Sequence, residues 1–209
     1  MDKDIEFFIK KFNVSRETIE KLNKYKDFLV ISNKLLNLIG KTTENHIFSR
    51  HFIDSAQIYD LIEDKSEIID LGSGAGFPGV ILKILIDYNK RDGNITLIEK
   101  SPKKCKFLQD LSDKLDLNIK IVNLKIENFK LNKISTIVSR AFKNTVDTMD
   151  ILCKNNDKIE SIILLKGKTY QQELEDTKKK YTFDLEKFKS ITSDESFILK
   201  ITNIKHNTT

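Results

Sequence analysis

Residues able to do chemistry cluster first at Ile68-Ile69-Asp70-Leu71-Gly72-Ser73-Gly74-Ala75-Gly76-Phe77-Pro78-Gly79, where an apolar run ends in an acid and turns through glycines. Glycine in such a turn lets the backbone approach a ligand where a Cβ would collide with it. The frame Gly74-x-Gly76-x-x-Gly79 also fits the dinucleotide fingerprint, in which a pyrophosphate sits on a helix N-terminus. An aspartate immediately before the loop would repel that pyrophosphate. S-adenosylmethionine has no phosphate and carries an ammonium and a sulfonium, which a nearby carboxylate suits. Asp70 therefore selects S-adenosylmethionine over a dinucleotide.

Glu99 ends the next apolar run (Ile95-Thr96-Leu97-Ile98-Glu99), where an acid can accept both hydroxyls of a ribose. Further along, Ile126 and Glu127 are candidates for an adenine pocket, one against the ring and one near its exocyclic amine. Two later runs end in Val138-Ser139-Arg140-Ala141-Phe142-Lys143 and Leu164-Leu165-Lys166-Gly167, placing Arg140 and Lys166 as catalytic candidates at the edge where open α/β sheets bind substrate. Only four of the 36 basic residues are arginine: Arg16, Arg50, Arg91 and Arg140. Arginine in a lysine-rich chain marks positions that use its planar fork.

Some chemistries are excluded by what is missing. The prolines are Pro78 and Pro102 alone, so an Asp/Asn-Pro-Pro-aromatic motif for exocyclic amines is absent. Neither Cys105 nor Cys153 follows a proline, as the nucleophile of pyrimidine-carbon methylation often does. A ring nitrogen with a free lone pair needs no proton removed, and a basic segment that orients the base suits it. Arginine would then grip guanine O6, the backbone or the cofactor rather than N7 itself.

These residues need a scaffold. Short apolar strands at Glu67–Leu71, Ile95–Glu99, Ile119–Val122, Thr136–Ser139 and Ser161–Lys166 alternate with helical stretches at Pro78–Ile86, Pro102–Leu115, Thr145–Lys154 and Tyr170–Lys180. That alternation predicts a parallel sheet covered on both faces. Thr182–Lys189 and Phe197–Ile204 follow without a helix between them and predict an antiparallel hairpin closing the sheet. The expected fold is thus α/β, Rossmann-like, with a mostly parallel seven-stranded sheet and an antiparallel C-terminal strand. The division expected is an N-terminal helical segment over 1–62 and a catalytic domain over 63–209. Within the first, Ser15 reads as an N-cap, Gly40 as a stop, and Thr43 as the cap of a second helix.

The chain has 209 residues and a formal charge of +5, a balance that favours an anionic partner. No apolar run approaches the ~20 residues of a membrane span, and the N-terminus lacks the pattern of a signal peptide. Two distant cysteines predict neither a disulfide framework nor a metal site, and a reducing cytoplasm is the expected location. The sequence does not fix the oligomeric state, and a monomer is the default.

The segments DLGSGAGFPG, SRAF and LKG, with Asn37-Leu38 and Arg50-His51-Phe52-Ile53-Asp54-Ser55 upstream, resemble the bacterial small-subunit ribosomal RNA guanine-N7 methyltransferases, also called glucose-inhibited division protein B. The resemblance runs over roughly residues 20–204 and implies methyl transfer from S-adenosylmethionine to guanine N7 in small-subunit (16S) rRNA or the 30S subunit. It implies that Gly72 and Phe77 contact the cofactor, beside the Asp70, Gly74 and Glu99 already assigned to it from the glycine turn and the second strand. Ile126 and Glu127 would meet the adenine, and Arg140 would lie near both cofactor and base. It also implies that Arg50, His51, Lys125 and Lys166 face the RNA. Position 125 is lysine where the family usually carries arginine, which keeps the charge and loses the fork. Two other readings remain open: a non-catalytic ribosome-binding or assembly protein that keeps the fold, and a methyltransferase of another substrate.

Overall fold

In the computed structural model, which describes residues 2–64, 66–155 and 158–207, seven strands form one sheet. The strands are β1 (Glu67–Leu71), β2 (Asn94–Glu99), β3 (Lys120–Asn123), β4 (Ser135–Arg140), β5 (Ile159–Lys166), β6 (Tyr181–Lys189) and β7 (Phe197–His206). Their order is β3-β2-β1-β4-β5-β7-β6. The pairs β1–β2, β1–β4, β2–β3 and β4–β5 are parallel, whereas β7 runs antiparallel to both β5 and β6. The chain reverses direction across the sheet between β1 and β4, so the carboxyl ends of those strands form a crevice, the usual ligand site of open α/β sheets. The central strands are buried along nearly their whole length, as strands covered on both faces must be.

Helices α4 (Gly79–Tyr88), α5 (Pro102–Lys114), α6 (Thr145–Asn155) and α7 (Tyr170–Lys178) fill the crossovers between the strands. Each lies within two residues of its expected limits, and for α5 the cap was explicit in the sequence. Ser101 Oγ accepts from Lys104 N, and Pro102 takes the first helical position, where its missing N–H costs nothing.

The N-terminal segment is helical, though built differently from the expectation. Helix α1 (Lys3–Phe12) is capped by Asp2 and ends at Asn13, whose φ of 48° is left-handed. Helix α2 (Arg16–Leu36) begins at the expected Ser15 cap, with Oγ 3.3 Å from Thr18 N. It stops at Asn37, again left-handed at φ 48°, three residues before Gly40. Asparagine tolerates that conformation and substitutes for glycine as a helix terminator. The expected second helix from Thr43 is instead a run of short turns: a 3₁₀ turn at Lys41–His46, a π-helical turn at Phe48–Ile53, the short α3 (Asp54–Ala56) and a 3₁₀ turn at Tyr59–Leu61. Thr43 does not cap a helix; its hydroxyl donates to Gly40 O at 2.8 Å.

One apolar cluster runs without a break from Phe8, Leu22, Tyr25 and Phe52 into Ile81, Leu85 and Leu108. The N-terminal segment is therefore packed into the core on one face of the sheet. The other face has its own cluster around Ile137, Met149, Ile162 and Leu199.

Candidate active site

Helix α4 is entered through the glycine turn after β1. Gly72, Gly74 and Gly76 all adopt positive φ. At Gly76 a side chain is doubly barred, since φ is 96° and a Cβ would lie 2.6 Å from Val80 Cγ2 and 2.8 Å from Tyr25 Oη. Asp70 is fully buried beneath this turn, where one carboxylate oxygen accepts from Gly79 N at 3.1 Å and the other, Oδ1, has no hydrogen-bond partner. Burial pushes its carboxyl up to about 7. Asp70 thus clamps the start of α4 to the end of β1, and occupies the N–H that a pyrophosphate would need.

A cavity of about 570 Å³ opens above, in the size range of small-molecule sites. Of the residues expected at the cofactor, Gly72, Glu99, Ile126 and Glu127 line it, together with Ile98, Leu124, Phe142 and Lys125, the last expected on the RNA side. Glu99 ends β2 with Oε2 3.0 Å from Gly74 N and Oε1 2.8 Å from Ser101 N, so Gly74 adjoins the site through this carboxylate. Each oxygen keeps a further lone pair for a hydroxyl. Ile126 is buried in the wall, and Glu127 stands at the lip, 3.6 Å from Lys143. The Glu127 backbone N–H and the Lys143 charge hold its carboxyl below the usual range. An acid under a ribose, apolar walls for a purine and a glycine floor fit S-adenosylmethionine.

Arg140 ends β4 beside this cavity and is a junction rather than a free cation. Its Nη1 donates to Asp54 Oδ2 at 3.2 Å and to Arg50 O at 3.1 Å, and its Nη2 lies 2.8 Å from His51 Nδ1. A guanidinium can only donate, so Nδ1 accepts and the His51 proton sits on Nε2. That proton goes to Thr43 Oγ1 at 2.9 Å, and Thr43 in turn donates to Gly40 O. Every link from Arg140 to Gly40 therefore points one way. Burial, then the charges of Arg140 and Arg50, lower His51 to about 3, so its imidazole is neutral. Asp54 Oδ1 takes further bonds from Thr192 Oγ1 at 2.7 Å and Gln57 Nε2 at 2.9 Å, which ties the β6–β7 turn to the same junction.

Phe77 does not line the cavity. It is buried, with the rings of His51 and Tyr25 stacked on it at 5.1 and 5.4 Å and the Arg140 guanidinium 4.8 Å above it. An aromatic under an arginine fixes the guanidinium plane, which is its role here. Lys166 is not a free cation either: Nζ donates to Lys143 O at 2.6 Å and pairs with Glu173 at 2.8 Å. Glu173 also accepts from Thr145 N and Oγ1, so the pair staples the loop after β4 to α7. Lys166 and Arg140 still share a second, smaller cavity of about 170 Å³ with Asp54 and Gln57. Arg50 is exposed, and His51 is buried behind it.

Sequence reasoning missed three supports. Tyr25 donates from its fully buried hydroxyl to Ala75 O at 2.5 Å, holding the glycine turn from the N-terminal segment. Glu173 and the Thr192–Gln57 pair were also unforeseen. Periodicity signals none of them, since Tyr25 reaches Ala75 across 50 positions, Glu173 reaches Thr145 across 28 and Thr192 reaches Asp54 across 138.

The sheet order, the glycine turn and the Glu99-lined cavity define a Rossmann-like class I S-adenosylmethionine-dependent methyltransferase. Solved structures share this fold. An S-adenosylmethionine-dependent methyltransferase from Aquifex aeolicus superposes with a TM-score of 0.57 at 13% identity, over 77% of this chain and 94% of that one. A putative one from Methanococcus maripaludis superposes at 0.55 and 14% identity, over 88% and 94%. Sequence narrows the class: the chain belongs to the rRNA small subunit methyltransferase G family, whose model matches residues 18–200. It is 38% identical to the ribosomal RNA small subunit methyltransferase G of Pelagibacter ubique (strain HTCC1062), with 94% of each chain covered. To that of Rickettsia akari (strain Hartford) it is 36% identical, over 91% of this chain and 97% of the relative.

Proposed function

We propose that the chain transfers a methyl group from S-adenosylmethionine to N7 of a guanine in small-subunit rRNA, acting in the cytoplasm as a monomer on the 30S subunit or its RNA. Family membership supports the RNA substrate, and among the described residues no helix is long and apolar enough to cross a membrane. The observation that carries the choice of a ring nitrogen is the locked state of His51. Its Nδ1 is filled by Arg140, its Nε2 proton is committed to Thr43, and its pKa lies far below neutrality. Asp54 is likewise engaged by Arg140, Thr192 and Gln57. Among the described residues at this edge, neither His51 nor Asp54 stands free to take a proton from an amine. Cys105 is buried with its thiol directed at Glu99 O, and burial pushes Cys153 up to about 11, so neither supplies the thiolate of pyrimidine-carbon chemistry.

When bound, S-adenosylmethionine supplies an electrophilic methyl that the N7 lone pair takes directly. The chain's own residues then position and enclose. Gly72, Gly74 and Glu99 would hold the ribose and methionine parts, with Asp70 fixing the turn from below, and Ile126 and Glu127 would hold the adenine. Arg140, its plane set by Phe77 and Asp54, would orient the base, and Lys166 would hold the loop that carries it. Arg50, His51 and Lys125 form the RNA side, His51 through its grip on Arg140. The segment 1–62 then completes the acceptor edge of a catalytic domain over 63–209. Mapping 7-methylguanine in small-subunit rRNA from cells with and without the gene tests this. One guanine should lose its mark when the gene is removed, and an unchanged map would overturn the reading.

A further inference from the structure

The mouth of the cofactor cavity carries more positive charge than the cofactor can use. Lys100, Lys104, Lys125 and Lys143 line it, against Glu99 and Glu127. Glu127 is paired with Lys143, and Glu99 already accepts the N–H groups of Gly74 and Ser101. The side chains of Lys100, Lys104 and Lys125 make no ion pair or hydrogen bond among the described residues, and Lys100 and Lys125 are exposed. S-adenosylmethionine is itself a net cation, so three unpaired ammonium groups around it are electrostatically unfavourable.

Nor do these lysines serve the fold. Lys103 and Lys104 stand in the first turn of α5, with Lys100 just before it, at the end of a helix that favours anions. Helices α1, α2, α6 and α7 place an acid in that turn and α4 places no charge there. A local rule broken without compensation points to a requirement outside the folded chain.

We infer that this rim is a track for RNA phosphates, and that the RNA lies across the cofactor cavity and closes it. The inference rests on the reading of the chain as an rRNA methyltransferase and adds where the RNA lies and in which order the ligands move. The cofactor enters before the RNA, and S-adenosylhomocysteine leaves after it. Charge transfer assists that order. The N7 lone pair forms the new N–C bond while the sulfur keeps the electrons of the broken C–S bond, and no proton is released. One positive charge thereby passes from the cofactor to the guanine. The protein side of the interface becomes less positive and the RNA less negative, so the modified RNA is held more weakly than the unmodified RNA.

The test uses the full chain with Lys100→Gln and Lys104→Gln combined, and small-subunit rRNA transcribed without modification as probe. Each phosphate contact on single-stranded RNA contributes about 0.7 to the slope of log affinity against log salt. Losing two should make that slope shallower by about 1.4, which at 0.1 M salt is about 25-fold in affinity. Lys120→Gln with Lys130→Gln, in the crevice at the opposite, amino edge of the sheet, should leave both unchanged. Saturating RNA should slow release of labelled S-adenosylhomocysteine at least tenfold. Three results would overturn the track: wild-type RNA affinity in the rim variant, an equal loss in the amino-edge variant, or weakened cofactor binding with RNA binding intact. Release of S-adenosylhomocysteine unaffected by RNA would overturn the closure. Mapping the methyl group keeps the two readings apart. A mark at another atom defeats N7 transfer and leaves the track standing, whereas an N7 mark with unimpaired RNA binding in the rim variant defeats the track alone.

Discussion

Asp70→Asn should change how stability depends on pH more than stability itself. Two buried groups titrate in opposite senses in this fold. Burial raises Asp70 from 3.8 to about 7, so its contribution to stability is full below pH 3.8 and is lost as pH rises through 7. Burial and two arginines lower His51 from 6.5 to about 3, so its contribution is full above pH 6.5 and is lost as pH falls toward 3. Each slope is about 1.4 kcal/mol per pH unit, and between pH 5 and 6.5 they oppose one another. The unaltered protein should therefore be nearly flat across that interval. Asparagine keeps an oxygen for the Gly79 N–H and removes the titration, leaving the slope of His51 alone. Stability of the variant should rise by about 2 kcal/mol from pH 5 to 6.5, roughly 4–8 °C in Tm for a chain of this size. Urea unfolding followed by circular dichroism at half-unit pH steps measures it. A variant profile as flat as that of the parent, or one falling with pH, would refute the argument.

Arg140→Lys keeps one charge near Asp54 but leaves His51 Nδ1 without a donor and the exposed Arg50 carbonyl to water, so unfolding should cost about 1–2 kcal/mol less. Methyl transfer should fall on the order of 100-fold through misalignment, and thermal melting beside a transfer assay separates the two effects. Tyr25→Phe strips the donor from Ala75 O and should destabilise by about 1–2 kcal/mol, with weaker cofactor binding in a calorimetric titration although no cavity-lining residue has changed. Glu99→Gln should raise the Kd for S-adenosylmethionine about tenfold, and an unchanged Kd would remove the ribose from this carboxylate. Glu173→Gln should loosen the loop after β4, seen as a lower kcat at unchanged cofactor affinity; a lower Tm alone would make the Lys166 pair purely structural.

The central strands β1, β2, β4 and β5 were legible because they are buried on both faces and so read as apolar runs, whereas the last hairpin showed itself by two β-rich stretches with no helix between them. All seven strands lie where the sequence places them, within two residues at each end. The cofactor side was legible for a related reason: Gly72 follows the end of β1, Glu99 ends β2, and Ile126 and Glu127 lie in the turn after β3, and strand ends converge. The acceptor side was not. Arg140 and Lys166 could be located but not their partners, because Asp54, Thr192 and Glu173 belong to other elements and no periodicity links them. Phe77 reads as a loop residue that could touch the ligand, and only packing shows its ring turned toward Tyr25 and His51. Asn37 could not be told from Gly40 as the stop of α2, since either residue can take the left-handed conformation that ends a helix.

The bond between Asp54 and Thr192 joins residues 138 positions apart. At 5–20 residues per second, a ribosome needs roughly 7 to 28 s to make that stretch. In the course of this interval the chain gains its glycine turn, Glu99 and Arg140, whereas only at its end does Asp54 gain the hydroxyl that completes its coordination of the arginine. The two halves of the site therefore mature at different times, the donor side early in synthesis and the acceptor side only when the last hairpin emerges. Every residue that lines the cofactor cavity lies at or before Lys143, whereas the acceptor edge waits for Thr192.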